Sequence, residues 1–202
     1  MLKNIYLATT SLSRINVVKS NNLKWNCVPN LFEEENAKTN LKKPLSLQDS
    51  FDYTKMLSIG KARSIENYYK NSIIIACDTV IFANDKVLEK PKTREEAFMM
   101  YDLLNGTLQS VITGVSIIDS SNNHYKQFNV VTDLIFTDLN IERQQKLFND
   151  GEPYDHAGGY TLGVVLDPIT QIINGERENI LGLPIKEIIK ELKYFDKKVN
   201  DD

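Results

Sequence analysis

The segment from Ile73 to Asp78 (IIIACD) constrains the fold of this chain more than any other stretch. It begins as a continuous apolar, β-branched run, which is typical of a strand covered on both faces. It ends in a carboxylate, and Thr79 adds a hydroxyl directly after it. A carboxylate at the end of a buried strand is costly unless a cation or hydrogen bonds compensate it. The pattern therefore predicts a metal ion or a lysine cluster beside Asp78, with a turn-closing role as the alternative.

The composition is that of an ordinary globular protein. The chain has 202 residues, of which 42% are hydrophobic and 25% charged, enough for one domain with a sizeable core. A net charge of -3 gives no basic field for a nucleic-acid polymer. No apolar run reaches the roughly 18 residues of a membrane span, and the N-terminus does not resemble a signal peptide. Cys27 and Cys77 lie in apolar runs without metal-ligand spacing, so we expect reduced core cysteines in a cytoplasmic protein.

Apolar periodicity predicts an alternation of strands and helices. Further strands are predicted over residues 5–8, 23–28, 111–118, 129–136 and 169–173. Helices are predicted over residues 49–69, 93–104 and 184–195, with shorter ones after Ser11 and near Asn140. Thr93 and Glu96 have the spacing of a capping box at the start of the second helix. The pattern as a whole indicates a mixed α/β fold.

Three segments are predicted to be irregular. Asn84-Asp85 predicts a hairpin turn between short strands at 80–82 and 86–88. The acidic block at Glu33 and the Lys/Asn-rich stretch that follows it to residue 43 predict a solvated loop. Gly158-Gly159-Tyr160 predicts a loop that opens another strand.

Residues suited to binding anions or metals recur at the predicted strand ends and helix starts. They are Ser11, Arg14, Glu33, Glu34, Lys61, Asp78 and Lys90. Taken singly, the cations are typical of solvated helix positions and the glutamates of a charged loop. Taken together, an acid on a buried strand, a second acidic segment and three separate cations predict a site for a metal-bound polyphosphate.

Sequence blocks in a fixed order resemble the Maf nucleoside triphosphate pyrophosphatases. The resemblance runs from about Ile5 to about Leu192. The blocks are LATTSLSR (7–14), KA (61–62), ACDT (76–79), LEKP (88–91), SVITGV (110–115), EPYDHAGGY (152–160) and GLP (182–184). The ordered series is far more specific than any single block.

The resemblance implies a fold, a reaction and a cofactor. The fold is an α/β domain with an elongated, curved mixed β-sheet flanked by helices, and two lobes around a cleft. Residues 1–196 would form this single domain, and 197–202 a frayed tail. The reaction is hydrolysis of a nucleoside triphosphate to the monophosphate and pyrophosphate, with dTTP or UTP favoured, as house-cleaning of non-canonical or surplus nucleotides. The cofactor is a divalent cation, Mg²⁺ or Mn²⁺, and the expected partners are the substrate and a second copy in a homodimer.

The resemblance also assigns roles to individual residues. Asp78 matches the catalytic acid, which orients or deprotonates the attacking water and meets the metal. Glu34 matches a second metal-binding acid, with Glu33 as the alternative. The positions that match substrate-binding residues are Ser11, Arg14, Lys61, Thr79 and Lys90.

Two positions depart from the family pattern and concern base specificity. Ser13 replaces one arginine of the usual Ser-Pro-Arg-Arg block, and Gly163 stands where the dTTP/UTP branch has a glutamine. Thr79 matches that branch and differs from the 7-methyl-GTP branch, which has a glutamine there. Because arginine and glutamine can each make bidentate hydrogen bonds, their loss predicts weaker discrimination among bases.

Two alternative functions remain open from the sequence. A nucleotide-binding regulator without turnover, related to cell division, would account for Ser13 and Gly163. A pyrophosphatase of 7-methyl-GTP or ITP would share the reaction but fits the motifs less well. Retention of Asp78, Glu34 and the three cations favours the dTTP/UTP-type enzyme.

Overall fold

A computed structural model describes residues 3–41, 44–122, 124–150, 153–163 and 165–198 of the chain. The strands are β1 Asn4–Ala8, β2 Trp25–Val28, β3 Ser72–Ala83, β4 Lys86–Leu88, β5 Gln109–Asp119, β6 His124–Phe136 and β7 Thr170–Asn174. The helices are α1 Leu12–Ser20, α2 Glu34–Asn40, α3 Leu47–Glu66, α4 Arg94–Leu104, α5 Ile141–Asp150, α6 Arg177–Ile180 and α7 Ile185–Lys198. None of the described helices is long and apolar enough to cross a membrane.

The strands form a seven-stranded mixed sheet in the order β2-β1-β3-β5-β6-β7, with β4 paired to β3. β1 runs parallel to β2 and β3, whereas the other pairs are antiparallel. Side chains alternate along β3: Ile73 and Ile75 pack with α1 and α7, whereas Ile74 and Ala76 pack with α3. Helices therefore cover both faces, which explains the unbroken apolar run and confirms the α/β prediction.

A notch interrupts the sheet beside β3. β1 pairs with β3 only as far as Leu7 opposite Ile75, and β4 begins where Leu88 lies opposite Ile81. Residues 76–80 of β3 therefore have no strand on that side among the described residues. Asp78 lies inside this notch, in the middle of a strand of 12 residues. The prediction that Asp78 ends the strand was wrong, because the β-branched pattern continues past it and the chain turns only at residues 84–85.

Other sequence predictions had mixed outcomes. Asn84 and Asp85 form the hairpin turn with positive φ angles, and Thr93 caps α4 by accepting a hydrogen bond from the Glu96 amide, both as expected. The strand predicted after Gly159 was wrong. Both Gly158 and Gly159 have left-handed φ angles, which an extended strand does not have, and Ala157–Gly159 is a short 3-10 segment kinked at Gly158. α7 continues to Lys198, and residues 199–202 of the predicted tail lie outside the described residues.

The solvated loop predicted after Glu33 is in fact helix α2. An ion pair joins Glu34 and Lys38 one turn apart, an arrangement that supports a helix. The helix segment also packs Ala37 against the core cluster that contains Tyr53 and Leu57. The apolar positions here are sparse, so the acidic residues dominated the sequence pattern. Residues 42 and 43 of the predicted loop lie outside the described residues.

Both cysteines are free thiols, as predicted. Cys77 is buried on β3, and Cys27 on β2 is half-buried. Burial raises the pKa of the Cys77 thiol to about 11, although Arg14 and Lys61 oppose the shift. A neutral, enclosed thiol is suited to core packing and not to nucleophilic chemistry.

Replacing Asp119 by asparagine should destabilise the fold by about 2 to 4 kcal/mol at neutral pH. The Asp119 carboxylate is buried and accepts hydrogen bonds from Lys3 Nζ and from the Ser121 amide and hydroxyl. Burial favours a higher pKa, but the bonds from Lys3 and Ser121 outweigh it and lower the pKa of Asp119. A lowered pKa stabilises the folded state above the ordinary value of about 3.9, and this contribution is lost as the pH falls.

Urea denaturation at pH 7 and at successively lower pH measures this effect. The difference between wild type and Asp119→Asn should shrink steadily below pH 4. Asp85→Asn, at an exposed turn position, is the matched control and should change stability by less than about 0.5 kcal/mol. A difference that stays constant down to pH 2 would contradict the assigned role of the Asp119 charge.

Candidate active site

A cavity of about 780 Å³, its mouth included, occupies the notch beside β3. One set of wall residues is charged: Arg14, Glu34, Lys38, Lys61, Asp78, Glu89, Lys90 and Asp155. A second set is apolar or aromatic: Val80, Ile81, Val111, Ala157, Tyr160, Ile180 and Leu181. A cavity with a charged part and an apolar part fits a ligand that has both characters.

Asp78 is positioned by a close approach between helix α3 and the sheet. Gly114 on β5 lies directly opposite Asp78 in the register. A Cβ atom on Gly114 would lie 2.3 Å from the carbonyl carbon of Thr54 on α3, so only glycine allows this packing. Lys61 follows Thr54 by about two helical turns. Its Nζ atom lies 2.5 Å from Asp78 Oδ1, and both residues are more than nine-tenths buried.

Lys61 connects two acids from different parts of the chain. Its Nζ atom lies 2.7 Å from Glu34 Oε2 as well as 2.5 Å from Asp78 Oδ1. Burial favours a higher pKa for Glu34, but Lys61 and then Lys38 outweigh it and lower the pKa of Glu34 to about 2. Glu34 is therefore ionised at neutral pH.

Arg14 on α1 lines the cavity in the notch. Its Nε donates to the Gly182 carbonyl at 2.8 Å, and its Nη2 donates to Thr79 Oγ1 at 3.1 Å. Thr79 Oγ1 also hydrogen-bonds the Thr113 hydroxyl at 3.0 Å. These contacts hold the guanidinium at the cavity wall. A guanidinium fixed in this way is well suited to meet phosphate oxygens.

The turn after β1 lines a second, adjoining cavity. Thr9, Thr10 and Ser11 form part of its wall, and the Ser11 amide donates to Thr9 Oγ1 at 3.1 Å. Ser11 and the exposed Lys90 line both cavities. The structure thus brings together every predicted catalytic, metal-binding and substrate-binding residue: Ser11, Arg14, Glu34, Lys61, Asp78, Thr79 and Lys90.

Three residues named in the sequence analysis lie elsewhere. Glu33 is exposed, accepts a hydrogen bond from Asn36 and lines neither cavity, so Glu34 is the acid that reaches the site. Ser13 and Gly163 line neither cavity. The Ser13 hydroxyl instead hydrogen-bonds the Thr161 hydroxyl at 3.2 Å.

Sequence reasoning missed three charged residues of the cavity wall: Lys38, Glu89 and Asp155, the last of which lies within the block at 152–160. Lys38 lies one helical turn after Glu34, a spacing that would have been informative had α2 been recognised as a helix. Glu89 directly precedes Lys90 within a block that the sequence analysis singled out. Its pairing with Lys38 joins segments that are far apart in sequence, so no local pattern indicates it.

The donor set suits a hard divalent cation that also binds substrate. Among the described residues, no group of three or more His, Cys, Asp or Glu side chains is arranged to hold a metal ion alone. Glu34 and Asp78 nevertheless contact the same ammonium group, which places two carboxylates side by side. Mg²⁺ is commonly held by one or two carboxylates, with phosphates and water as its other ligands. The residues present therefore fit the cation that the sequence resemblance implies.

Comparison with known proteins agrees with this geometry. The family model described as Maf-like protein matches residues 4–195. A dTTP/UTP pyrophosphatase of Clostridium novyi (strain NT) is 32% identical over 187 residues, covering 92% of this chain and 94% of its own. A dTTP/UTP pyrophosphatase of Geobacillus sp. (strain WCH70) is 31% identical over 192 residues, with coverage of 95% and 98%. The family model covers nearly the whole chain, and both relatives are more than 30% identical over more than nine-tenths of it, so the chain belongs to the Maf family.

Proposed function

We propose that this protein hydrolyses nucleoside triphosphates of the dTTP/UTP type to the monophosphate and pyrophosphate. The observation that carries the proposal is that Lys61 holds Asp78 and Glu34 together in a cavity also lined by Arg14 and Lys90. The relatives from Clostridium novyi and Geobacillus, both dTTP/UTP pyrophosphatases, support the choice of reaction and substrate. Removal of surplus or non-canonical nucleotides is the role that follows. A cytoplasmic location and a homodimer stay predictions.

The reaction places definite demands on the cavity. A water oxygen attacks the α-phosphorus, the bond from that phosphorus to the α,β-bridging oxygen breaks, and pyrophosphate leaves with the bonding electron pair. Asp78 orients the water and accepts its proton, because its carboxylate lies in the notch. Lys61, Lys90 and Arg14 stabilise the negative charge that develops on the phosphate oxygens.

A divalent cation would be held by Glu34 and Asp78. When bound, it neutralises charge on the phosphate groups and helps to orient them. Lys61 keeps the two carboxylates adjacent and offsets their mutual repulsion. The chain thus supplies a prearranged pair of oxygen ligands whose remaining partners come from substrate and water.

The apolar residues of the cavity provide a surface for the base and the sugar. Val111, Tyr160 and Ile180 line the cavity and belong to one buried core cluster, so this surface is rigid. Apolar walls give contact area but discriminate weakly between bases of similar shape. Since Ser13 and Gly163 also provide no long polar side chain, we expect a modest base preference.

Pyrophosphate release from a panel of dTTP, UTP, CTP, dATP, GTP, ITP and 7-methyl-GTP, with Mg²⁺ or Mn²⁺, tests the proposed function. We expect dTTP and UTP to have the highest kcat/KM, within roughly tenfold of the other triphosphates. Release of orthophosphate alone would contradict the proposed reaction. Melting shifts with nucleotide but no turnover would identify a binding regulator instead, and a thousandfold preference would show that other residues read the base.

A further inference from the structure

An alternating series of charged side chains extends from Glu34 away from Asp78. Lys38 Nζ lies 2.9 Å from Glu34 Oε1 and 3.0 Å from Glu89 Oε1. Glu89 Oε1 also accepts a hydrogen bond of 2.9 Å from the Tyr53 hydroxyl. The contacts join helix α2, the segment after β4 and helix α3. We call Tyr53, Glu89 and Lys38 the supporting network.

Tyr53 is the rigid end of the supporting network. The residue is only 5% exposed, and it packs in a core cluster with Leu57, Val80, Val87 and Ile112. Burial raises the pKa of Tyr53, and the Glu89 carboxylate raises it further. The hydroxyl is therefore protonated at neutral pH and donates steadily to Glu89.

Glu34 depends on such support because helix α2 is short. The helix has seven residues, and its N-terminus carries no side-chain hydrogen bond from the capping position. Helices of this length are not stable on their own, so contacts with the rest of the protein determine their position. Both carboxylate oxygens of Glu34 are engaged, Oε2 by Lys61 and Oε1 by Lys38. Each oxygen still has a further lone pair for a metal ion.

We propose that Tyr53, Glu89 and Lys38 are positioning residues that hold Glu34 beside Asp78 for a divalent cation. The proposal rests on the proposed function, which assigns Glu34 and Asp78 to the metal. Groups that orient metal ligands commonly change metal affinity by about 10- to 100-fold when they are removed. Lys38 also separates the carboxylates of Glu34 and Glu89, which would repel each other without it.

Titration of the full chain with Mn²⁺ alone, followed by electron paramagnetic resonance of the free ion, tests this proposal without any turnover. Tyr53→Phe deletes one oxygen and keeps the packed ring, and Lys38→Met removes the ammonium group. We expect the Kd for Mn²⁺ to rise roughly tenfold in each variant. Lys38→Arg should keep the Kd within about threefold of wild type, since the charge is retained. Lys55→Met, which breaks a pair with the exposed Asp52 on α3, is the matched control and should not change the Kd.

The same variants are then assayed for pyrophosphate release at varied Mn²⁺. The half-saturating Mn²⁺ concentration should rise with the Kd, whereas kcat at saturating Mn²⁺ should stay within about twofold of wild type. An unchanged Mn²⁺ Kd in Tyr53→Phe and Lys38→Met, or no saturable Mn²⁺ binding by the wild type, overturns the proposal. Mn²⁺ binding that weakens as expected in a protein that releases no pyrophosphate overturns the proposed function alone. Tyr53→Phe decides the outcome if Lys38→Met does not fold.

Discussion

Asp78→Asn should lower the rate of pyrophosphate release by at least about a hundredfold at saturating nucleotide and metal. The substitution keeps the shape of the side chain and an oxygen that can accept from Lys61, but it removes the negative charge. An amide neither accepts a proton from water at neutral pH nor binds a divalent cation as strongly as a carboxylate does. The loss should appear mainly in kcat, because Arg14 and Lys90, the proposed phosphate-binding cations, are unchanged.

Asp52→Asn is the matched control for this experiment. Asp52 is an exposed acid on α3 whose side chain is 71% accessible. Its replacement should leave turnover within about twofold of wild type. The melting temperature of Asp78→Asn should also stay close to that of wild type, because Lys61 keeps Glu34 as a partner. A fully active Asp78→Asn protein would exclude Asp78 from the mechanism.

The elements with strong local signals were predictable from the sequence. The apolar run of β3, the hairpin turn at Asn84-Asp85 and the Thr93 cap each depend on residues close together in the chain. The same holds for Arg14, Lys61 and Lys90, which lie in recognisable blocks. Local patterns of this kind give the type of an element and the residue classes it presents.

The notch beside β3 could not be predicted in the same way. It exists because β1 ends its pairing with β3 at Leu7 and β4 begins at Leu88, so it depends on two other strands. The sequence around Asp78 suggested a strand end, since a carboxylate and a hydroxyl after an apolar run usually mark one. In the structure, this carboxylate and hydroxyl instead line a cavity at the side of a continuous strand.

The supporting network of Tyr53, Glu89 and Lys38 could not be predicted from local sequence either. Glu34 and Lys38 are close in sequence, but Glu89 and Tyr53 meet them only through the tertiary fold. Charged residues with several partners looked individually like solvated surface positions. Pairing among residues that are distant in sequence gives them a structural role that no local pattern indicates, because a buried or half-buried ion pair must be satisfied by specific neighbours.

Gly114→Ala should have the largest effect on stability, a loss of roughly 3 kcal/mol or more. The new Cβ would lie 2.3 Å, 2.5 Å and 2.6 Å from backbone atoms of Thr54 and Lys55. Backbone atoms cannot rotate away as the end of a side chain can, so α3 must move away from the sheet. Urea denaturation measures the loss, and pyrophosphate release by the folded fraction should also fall, because α3 carries Lys61 to Asp78.

Gly163→Ala is the matched control for Gly114→Ala. Apart from the glycine itself and its two chain neighbours, no atom of the described residues lies within 4 Å of the Cβ position at Gly163, and its φ angle is not left-handed. The control should therefore change stability by less than about 0.5 kcal/mol. Equal stability of the two alanine variants would contradict the close packing of α3 against β5. Stability lost without loss of activity in the folded Gly114→Ala protein would show that this packing does not set the distance between Lys61 and Asp78.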